Sequence, residues 1–123
     1  MNSESCLICL GSNYDREIHM NAARNALSEA FPNIRFGEEL ETEAIGEGFF
    51  SPFSNQLATF QTSLTTDEIR HRLKEIEQDN GRMPQEKSQG IVKIDIDLLI
   101  HGSRILKPED LKRDYIQQEL ERL

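Results

Sequence analysis

The sequence predicts an α+β fold: a four-stranded antiparallel sheet with two helices on one face and a further helix at the C-terminus. The first observation behind this is the alternation of apolar and polar residues and the β-branched content of Lys93-Ile94-Asp95-Ile96-Asp97-Leu98-Leu99-Ile100-His101, which mark a half-buried strand. The second is Thr65-Thr66-Asp67-Glu68, a capping box that opens a helix. The third is the order of the periodic segments, β-α-β-β-α-β, which is the ferredoxin-like split βαβ arrangement. At 123 residues the chain suits a single domain over 1–123 with one modest core, and no internal repeat or low-complexity tract interrupts it.

Cys6-Leu7-Ile8-Cys9-Leu10 reads as a buried first strand, ended by Gly11-Ser12-Asn13. A glycine turn between strand and helix can offer backbone N–H groups to an anion or be a plain turn. Cys6 and Cys9 form a CxxC, but i and i+3 of a strand face opposite sides about 10 Å apart. That exceeds disulfide reach, so both are read as packing residues. The first helix is expected over 18–31, with Ala22, Ala23, Ala26, Leu27 and Ala30 as its stripe and Pro32-Asn33 as its stop. A second strand is expected over 34–41. The five glutamates of residues 38–47, with Gly46 and Gly48 close by, read as a mobile acidic loop that either covers a substrate or only connects.

Phe49-Phe50-Ser51-Pro52-Phe53 places three aromatics in a loop region, where they need burial or a planar partner. The third strand is expected over 54–62, with Leu57, Thr59 and Gln61 on one face and Asn55, Ala58 and Phe60 elsewhere. In the second helix Ile69, Leu73 and Ile76 repeat at helical spacing, Glu77 lies at the edge of the stripe, and Gly81 can end it. Arg82 follows, and 83–92 reads as a flexible loop. After the strand at 93–101, Pro108 with Glu109 and Asp110 opens a C-terminal helix whose Leu111, Tyr115, Ile116, Leu120 and Leu123 can dock on the domain or serve a dimer.

Composition narrows the function classes. The net charge of −8 argues against a general nucleic-acid or anionic-membrane surface. No apolar run approaches a membrane span and the N-terminus lacks the basic start of a signal peptide, so a cytoplasmic monomer or weak homodimer is expected.

Chemistry concentrates in the 93–101 strand. Period 2 puts Ile94, Ile96, Leu98 and Ile100 on the core face and Asp95 and Asp97 on the other, about 7 Å apart. Two carboxylates that close repel, and strands are poor in Asp, so the pair costs stability unless a cation lies between them. Oxygen ligation from a strand suits Mg²⁺, which takes one or two carboxylates plus substrate phosphates. The alternative is an exposed strand face with two solvated Asp residues.

The chain resembles the 6-hydroxymethyl-7,8-dihydropterin pyrophosphokinase family of folate synthesis. The resemblance runs over about residues 6–107. It rests on Leu10-Gly11-Ser12-Asn13, Phe53-Ser54-Asn55-Gln56, Thr62-Ser63-Leu64, Ile76-Glu77-Gln78-Asp79-Asn80-Gly81-Arg82 and Ile94-Asp95-Ile96-Asp97-Leu98-Leu99 in that order and spacing. It implies transfer of the β,γ-diphosphate of ATP to a pterin hydroxymethyl group, leaving AMP. It also implies two Mg²⁺ ions with ATP, held by Asp95 and Asp97, and Arg82 beside them in a catalytic role. Phe53 would stack on the pterin and Asn55 would bond its edge. Thr42 and Ile45 fall in the loop that reads the pterin through backbone groups, with Glu43-Ala44 where prolines are usual. Glu77, Arg82, Lys93 and Leu98 would line the nucleotide side.

The chain also departs from the family pattern. It has no Trp, and Ile91-Val92-Lys93 stands where the family carries Pro-Arg-Thr. Arg113-Asp114-Tyr115 stands in place of a Pro-His-Pro segment, and a later Arg is missing. The family continues past position 123, where its second pterin-stacking aromatic lies. Lys87, Lys93, Lys112 and Arg113 are the candidates to replace the lost cations. Two expectations follow: a diphosphotransferase of weak activity, or a non-catalytic relative that binds a pterin, a nucleotide or a protein partner through the same face.

Overall fold

The computed structural model describes residues 3–43 and 51–122. The elements are β1 (Glu4–Ser12), α1 (Arg16–Ala30), β2 (Arg35–Phe36), β3 (Leu40–Thr42), β4 (Phe53–Thr62), α2 (Thr66–Asp79), a 3₁₀ turn (Pro84–Gln89), β5 (Asp95–His101), β6 (Arg104–Ile105), α3 (Pro108–Leu111) and α4 (Asp114–Arg122). The sheet runs β2-β4-β1-β5-β6, with β3 also on β4, and all its pairings are antiparallel. The predicted α+β class and β-α-β-β-α-β order are present, but the sheet has six strands rather than four.

Two departures account for the extra strands. The expected second strand is split: Phe36 pairs with Ala58 but Leu40 with Asn55, so the chain takes four steps against three on β4, and Gly37 in the break donates its N–H to the Leu57 carbonyl and accepts the Gln56 amide. At the other edge β5 turns back at Gly102 (φ 61°) to pair with β6. The segment read as a mobile acidic loop is partly pinned, because Glu38, Glu39 and Glu41 meet Arg122, Arg24 and Arg16 at 2.7, 2.8 and 3.2 Å. Ile45, Gly46, Gly48, Phe49 and Phe50 lie outside the described residues.

The main core lies between the sheet and α1 and α2. Ile8 and Leu10 of β1, Ala58 and Phe60 of β4, Ile96 and Leu98 of β5 and Ile94 just before it meet Met20, Ala23 and Leu27 of α1 and Ile69, Leu73 and Ile76 of α2. The Phe31 and Phe60 rings stack at 4.0 Å. The capping box of α2 is complete, with the Glu68 N–H on the Thr65 hydroxyl and the Thr65 N–H on the Glu68 carboxylate. A second cluster occupies the opposite face, where Ile116 of α4 packs on Leu7, Leu57 and Leu99. The C-terminal segment therefore docks on its own sheet, as two helices rather than one.

A bulge corrects the predicted faces of β5. Leu7 pairs with Ile100 but Ile8 pairs with Leu98, so Leu99 is skipped and Ile100 moves to the second cluster. The place of Asn55 is also corrected: it shares strand parity with Leu57 and stands on that face. Cys6 lies in the main core while Cys9 packs on the second cluster, both as free thiols, so the CxxC is split across the sheet. Burial pushes them up to about 11 and about 12 respectively, which keeps both inert.

Candidate active site

α4 covers only part of the second sheet face, and the site lies on the remainder. Across the sheet, Asp95, Gly11 and Asn55 stand in one row on β5, β1 and β4. Asp97, Cys9 and Leu57 form the next row. Directly paired residues point to the same side, so period 2 brings both aspartates and Asn55 onto one floor. A side chain at the centre of the row would crowd Asn55, because a Cβ on Gly11 would lie 3.0 Å from the Asn55 Oδ1. Asn55 is held in turn by its amide donating to the Thr42 hydroxyl at 2.6 Å.

Above this floor is a cavity of about 210 Å³ whose lining includes Thr42, Phe53, Asn55, Asp95, Asp97 and Tyr115. On the other side of the aspartates a groove of about 490 Å³ is lined by Arg70, Lys74, Arg82, Lys107 and Arg113 with Glu77 and Leu98. Asp95 and Asp97 line both spaces and form the wall between an aromatic, amide-bearing slot and a basic groove.

The wall is electrostatically charged in both senses. Burial, then the neighbouring Asp95 charge and a hydrogen bond to it, raise the Asp97 carboxyl to about 7. On the groove side Arg82 bridges Glu77 at 2.8 Å and Asp95 at 2.9 Å. Burial alone would lower the Arg82 guanidinium, but Glu77 and Asp95 more than offset it. Glu77 is buried in α2, and its Oε2 accepts the Ile96 N–H of β5 at 2.8 Å, tying the helix to the strand that carries the aspartates. Asn13 fixes the approach to β5: its side chain bonds the Gly90 carbonyl at 2.8 Å and the Val92 N–H at 2.7 Å. Its own N–H donates to the Val92 carbonyl, so Asn13 leaves no backbone donor there for an anion.

The aspartate pair suits a divalent cation. Its donors are hard oxygens, and Arg82 compensates Asp95 while burial and the Asp95 charge disfavour the ionised form of Asp97. Among the described residues no group of three or more His, Cys, Asp or Glu converges. A cation here would complete its shell from phosphate and water oxygens, which is how Mg²⁺ binds.

A family model described as 7,8-dihydro-6-hydroxymethylpterin-pyrophosphokinase matches residues 7–123. The chain belongs to this family. Membership places it broadly among the pterin pyrophosphokinases of folate synthesis, enzymes that use ATP with Mg²⁺. Among solved structures, the C-terminal domain of the MgtC protein from Mycobacterium tuberculosis is similar at 7% identity, with 77% of this chain and 86% of that chain covered and a TM-score of 0.42. A de novo designed protein with a ferredoxin fold is similar at 10% identity, with 86% and 93% covered and a TM-score of 0.36. Both likenesses are too slight to bear on chemistry.

Within this member of the family, the residues singled out from sequence are distributed unevenly. Thr42, Phe53 and Asn55 line the smaller cavity together, and Glu77, Arg82 and Leu98 line the basic groove. Leu98 does so from the core side, since its side chain is buried among core residues. Ile45 lies outside the described residues. Lys93 lines neither space, because its ammonium is held by the Glu86 carboxylate at 3.0 Å and the Gly81 carbonyl at 3.1 Å. Glu86 also caps the 3₁₀ turn through the Met83 N–H, so 83–92 is more structured than a flexible loop. Sequence reasoning missed Arg70, Lys74 and Lys107. The i, i+4 spacing of Arg70 and Lys74 on α2 was the available signal.

Proposed function

We propose that this protein transfers the β,γ-diphosphate of ATP to 6-hydroxymethyl-7,8-dihydropterin, with turnover well below that of a family member carrying a full arginine clamp. The observation that carries this reading is the carboxylate wall: Asp95 and Asp97 stand between a slot suited to a planar heterocycle and a groove suited to phosphates. Phe53 offers the pterin a ring face, and Asn55, oriented by Thr42, offers its amide to the pterin edge. Arg70, Lys74 and Lys107 receive the phosphates. Arg82 is spent on Glu77 and Asp95 and so orients the wall more than it grips substrate. Asp95 and Asp97 would hold Mg²⁺, which supplies charge neutralisation on the attacking and leaving oxygens.

The second reading, a non-catalytic relative that binds pterin or nucleotide, draws on Lys93. The cation expected at the entrance to β5 is turned toward Glu86 instead. Assaying AMP formation from Mg·ATP by the purified protein, with and without the pterin, separates the two. Slow AMP release that depends on the pterin supports transfer. Nucleotide or pterin binding without AMP favours the second reading, and binding of neither removes both.

The slot itself is tested at its centre. Gly11→Ala sets a methyl against the Asn55 Oδ1, and the expected result is a loss of about tenfold in pterin affinity, roughly 1.4 kcal/mol. Pterin fluorescence titration measures it, and unchanged affinity would place the pterin elsewhere.

A further inference from the structure

We infer that Arg113, on the turn between α3 and α4, is the cation that grips the transferring phosphates where the two spaces meet. This rests on the diphosphotransfer reading and names the residue that stands in for the missing clamp. Among the described residues, three line both the slot and the groove: Asp95, Asp97 and Arg113. Two are the acidic wall, so Arg113 is the cation that reaches both substrates' sides at once.

Its position is fixed by the fold. The Arg113 carbonyl accepts the N–H groups of Ile116 and Gln117 at 3.1 and 3.0 Å, and its own N–H donates to the Asp110 carbonyl at 3.2 Å. Arg113 is thereby the residue that caps α4, and α4 is anchored three residues on by Ile116, 1% exposed against Leu7, Leu57 and Leu99. The guanidinium leans on Asp110 at 3.4 Å and on Tyr115, yet the side chain stays 43% exposed. A guanidinium carries five donors in a planar fork, so donors remain for phosphate oxygens after those contacts. The other candidates do not compete for this place. Lys93 is held by Glu86, and Lys112 is 72% exposed beside Glu109 at 3.3 Å and lines neither space.

In the step served, the pterin hydroxymethyl oxygen forms a bond to the β-phosphorus. The bond from that phosphorus to the oxygen bridging to the α-phosphorus breaks, and its electron pair leaves with AMP. The hydroxyl proton is released to water. Arg113 changes no bond; it neutralises charge on the non-bridging oxygens during the transfer.

The test uses the full chain with Arg113→Gln, Arg113→Lys and the neighbouring control Lys112→Gln. Steady-state AMP formation is compared with calorimetric binding of a non-hydrolysable ATP analogue in Mg²⁺, and thermal unfolding checks the fold of each. Removing a preorganised donor of this kind costs about 10²–10³ in kcat. The expected result is a loss of that size in Arg113→Gln, partial recovery in Arg113→Lys, no change in Lys112→Gln, and a pterin KM within about threefold of wild type. A kcat in Arg113→Gln within threefold of wild type overturns the inference and leaves the diphosphotransfer reading intact. Where wild type binds the analogue but forms no AMP, a tenfold weaker affinity in Arg113→Gln supports the phosphate contact and equal affinity overturns it. Wild type that binds no nucleotide overturns both.

Discussion

Asp97→Ala is expected to lower pterin-dependent AMP formation by about 10³-fold or more and to remove the Mg²⁺ dependence of nucleotide affinity. Catalysis of phosphoryl transfer is mostly positioning and charge stabilisation, so under the proposed reading, in which Asp97 holds the cation, its loss removes the largest contribution at once. The same carboxylate is a liability when no cation is present. Its folded value of about 7, against an ordinary 3.8, means that the folded chain keeps a proton which the unfolded chain has already released between those pH values. Stability of the Mg²⁺-free protein therefore falls as pH rises from about 4 to about 7, and the penalty is complete above that window. Asp97→Asn abolishes the penalty, and at pH 8 it should stabilise the Mg²⁺-free protein by roughly 1–2 kcal/mol after allowance for solvent screening. Calorimetric titration with Mg²⁺ and an ATP analogue, paired with urea unfolding of both variants, checks the two halves. Unchanged nucleotide affinity in Asp97→Ala with Mg²⁺ present sinks the assignment, and an Asp97→Asn protein less stable than wild type at pH 8 sinks the electrostatic account.

The features legible in the sequence were those that depend on local period and local chemistry. Alternation in 93–101 identified a strand with both aspartates on one face, and the capping box at Thr65 identified the start of α2. The bulge that sends Ile100 to the second cluster beside Leu99 was not legible, because an unbroken apolar run carries no mark of where a pairing slips. The break between β2 and β3 likewise depends on Gly37 bonding to Gln56 and Leu57 of a different strand. Lys93 shows the limit on the site. Its place where the family carries Pro-Arg-Thr suggested a phosphate contact, yet the 3₁₀ turn brings Glu86 to its ammonium. The basic groove draws on α2, on Lys107 after β6 and on the α3–α4 turn, so it exists only once the chain has folded.

Glu77→Ala is expected to be the most destabilising single change outside the apolar core. Glu77 is 5% exposed and, besides the Lys74 ammonium of its own helix at 4.0 Å, makes two contacts to separate segments, the Ile96 N–H of β5 and the Arg82 guanidinium after α2. Burial raises its carboxyl above the ordinary value, while the Ile96 N–H and the Arg82 charge act the other way and favour the ionised form. Truncation leaves a buried strand N–H without its acceptor and a partly buried guanidinium with Asp95 as its remaining carboxylate. Breaking a buried pair from one side costs about 3–5 kcal/mol, far more than the pair contributes when complete. Glu77→Gln keeps an acceptor for the Ile96 N–H and removes only the charge, so a smaller loss of about 1–2 kcal/mol is expected. The site responds as well, since Arg82 freed from Glu77 can close fully on Asp95 and compete with a cation there. Urea unfolding of wild type, Glu77→Ala and Glu77→Gln measures the order. An Ala variant within 1 kcal/mol of wild type, with an unchanged dependence on denaturant, would show that Glu77 does not join α2 to β5 in the way its two contacts indicate.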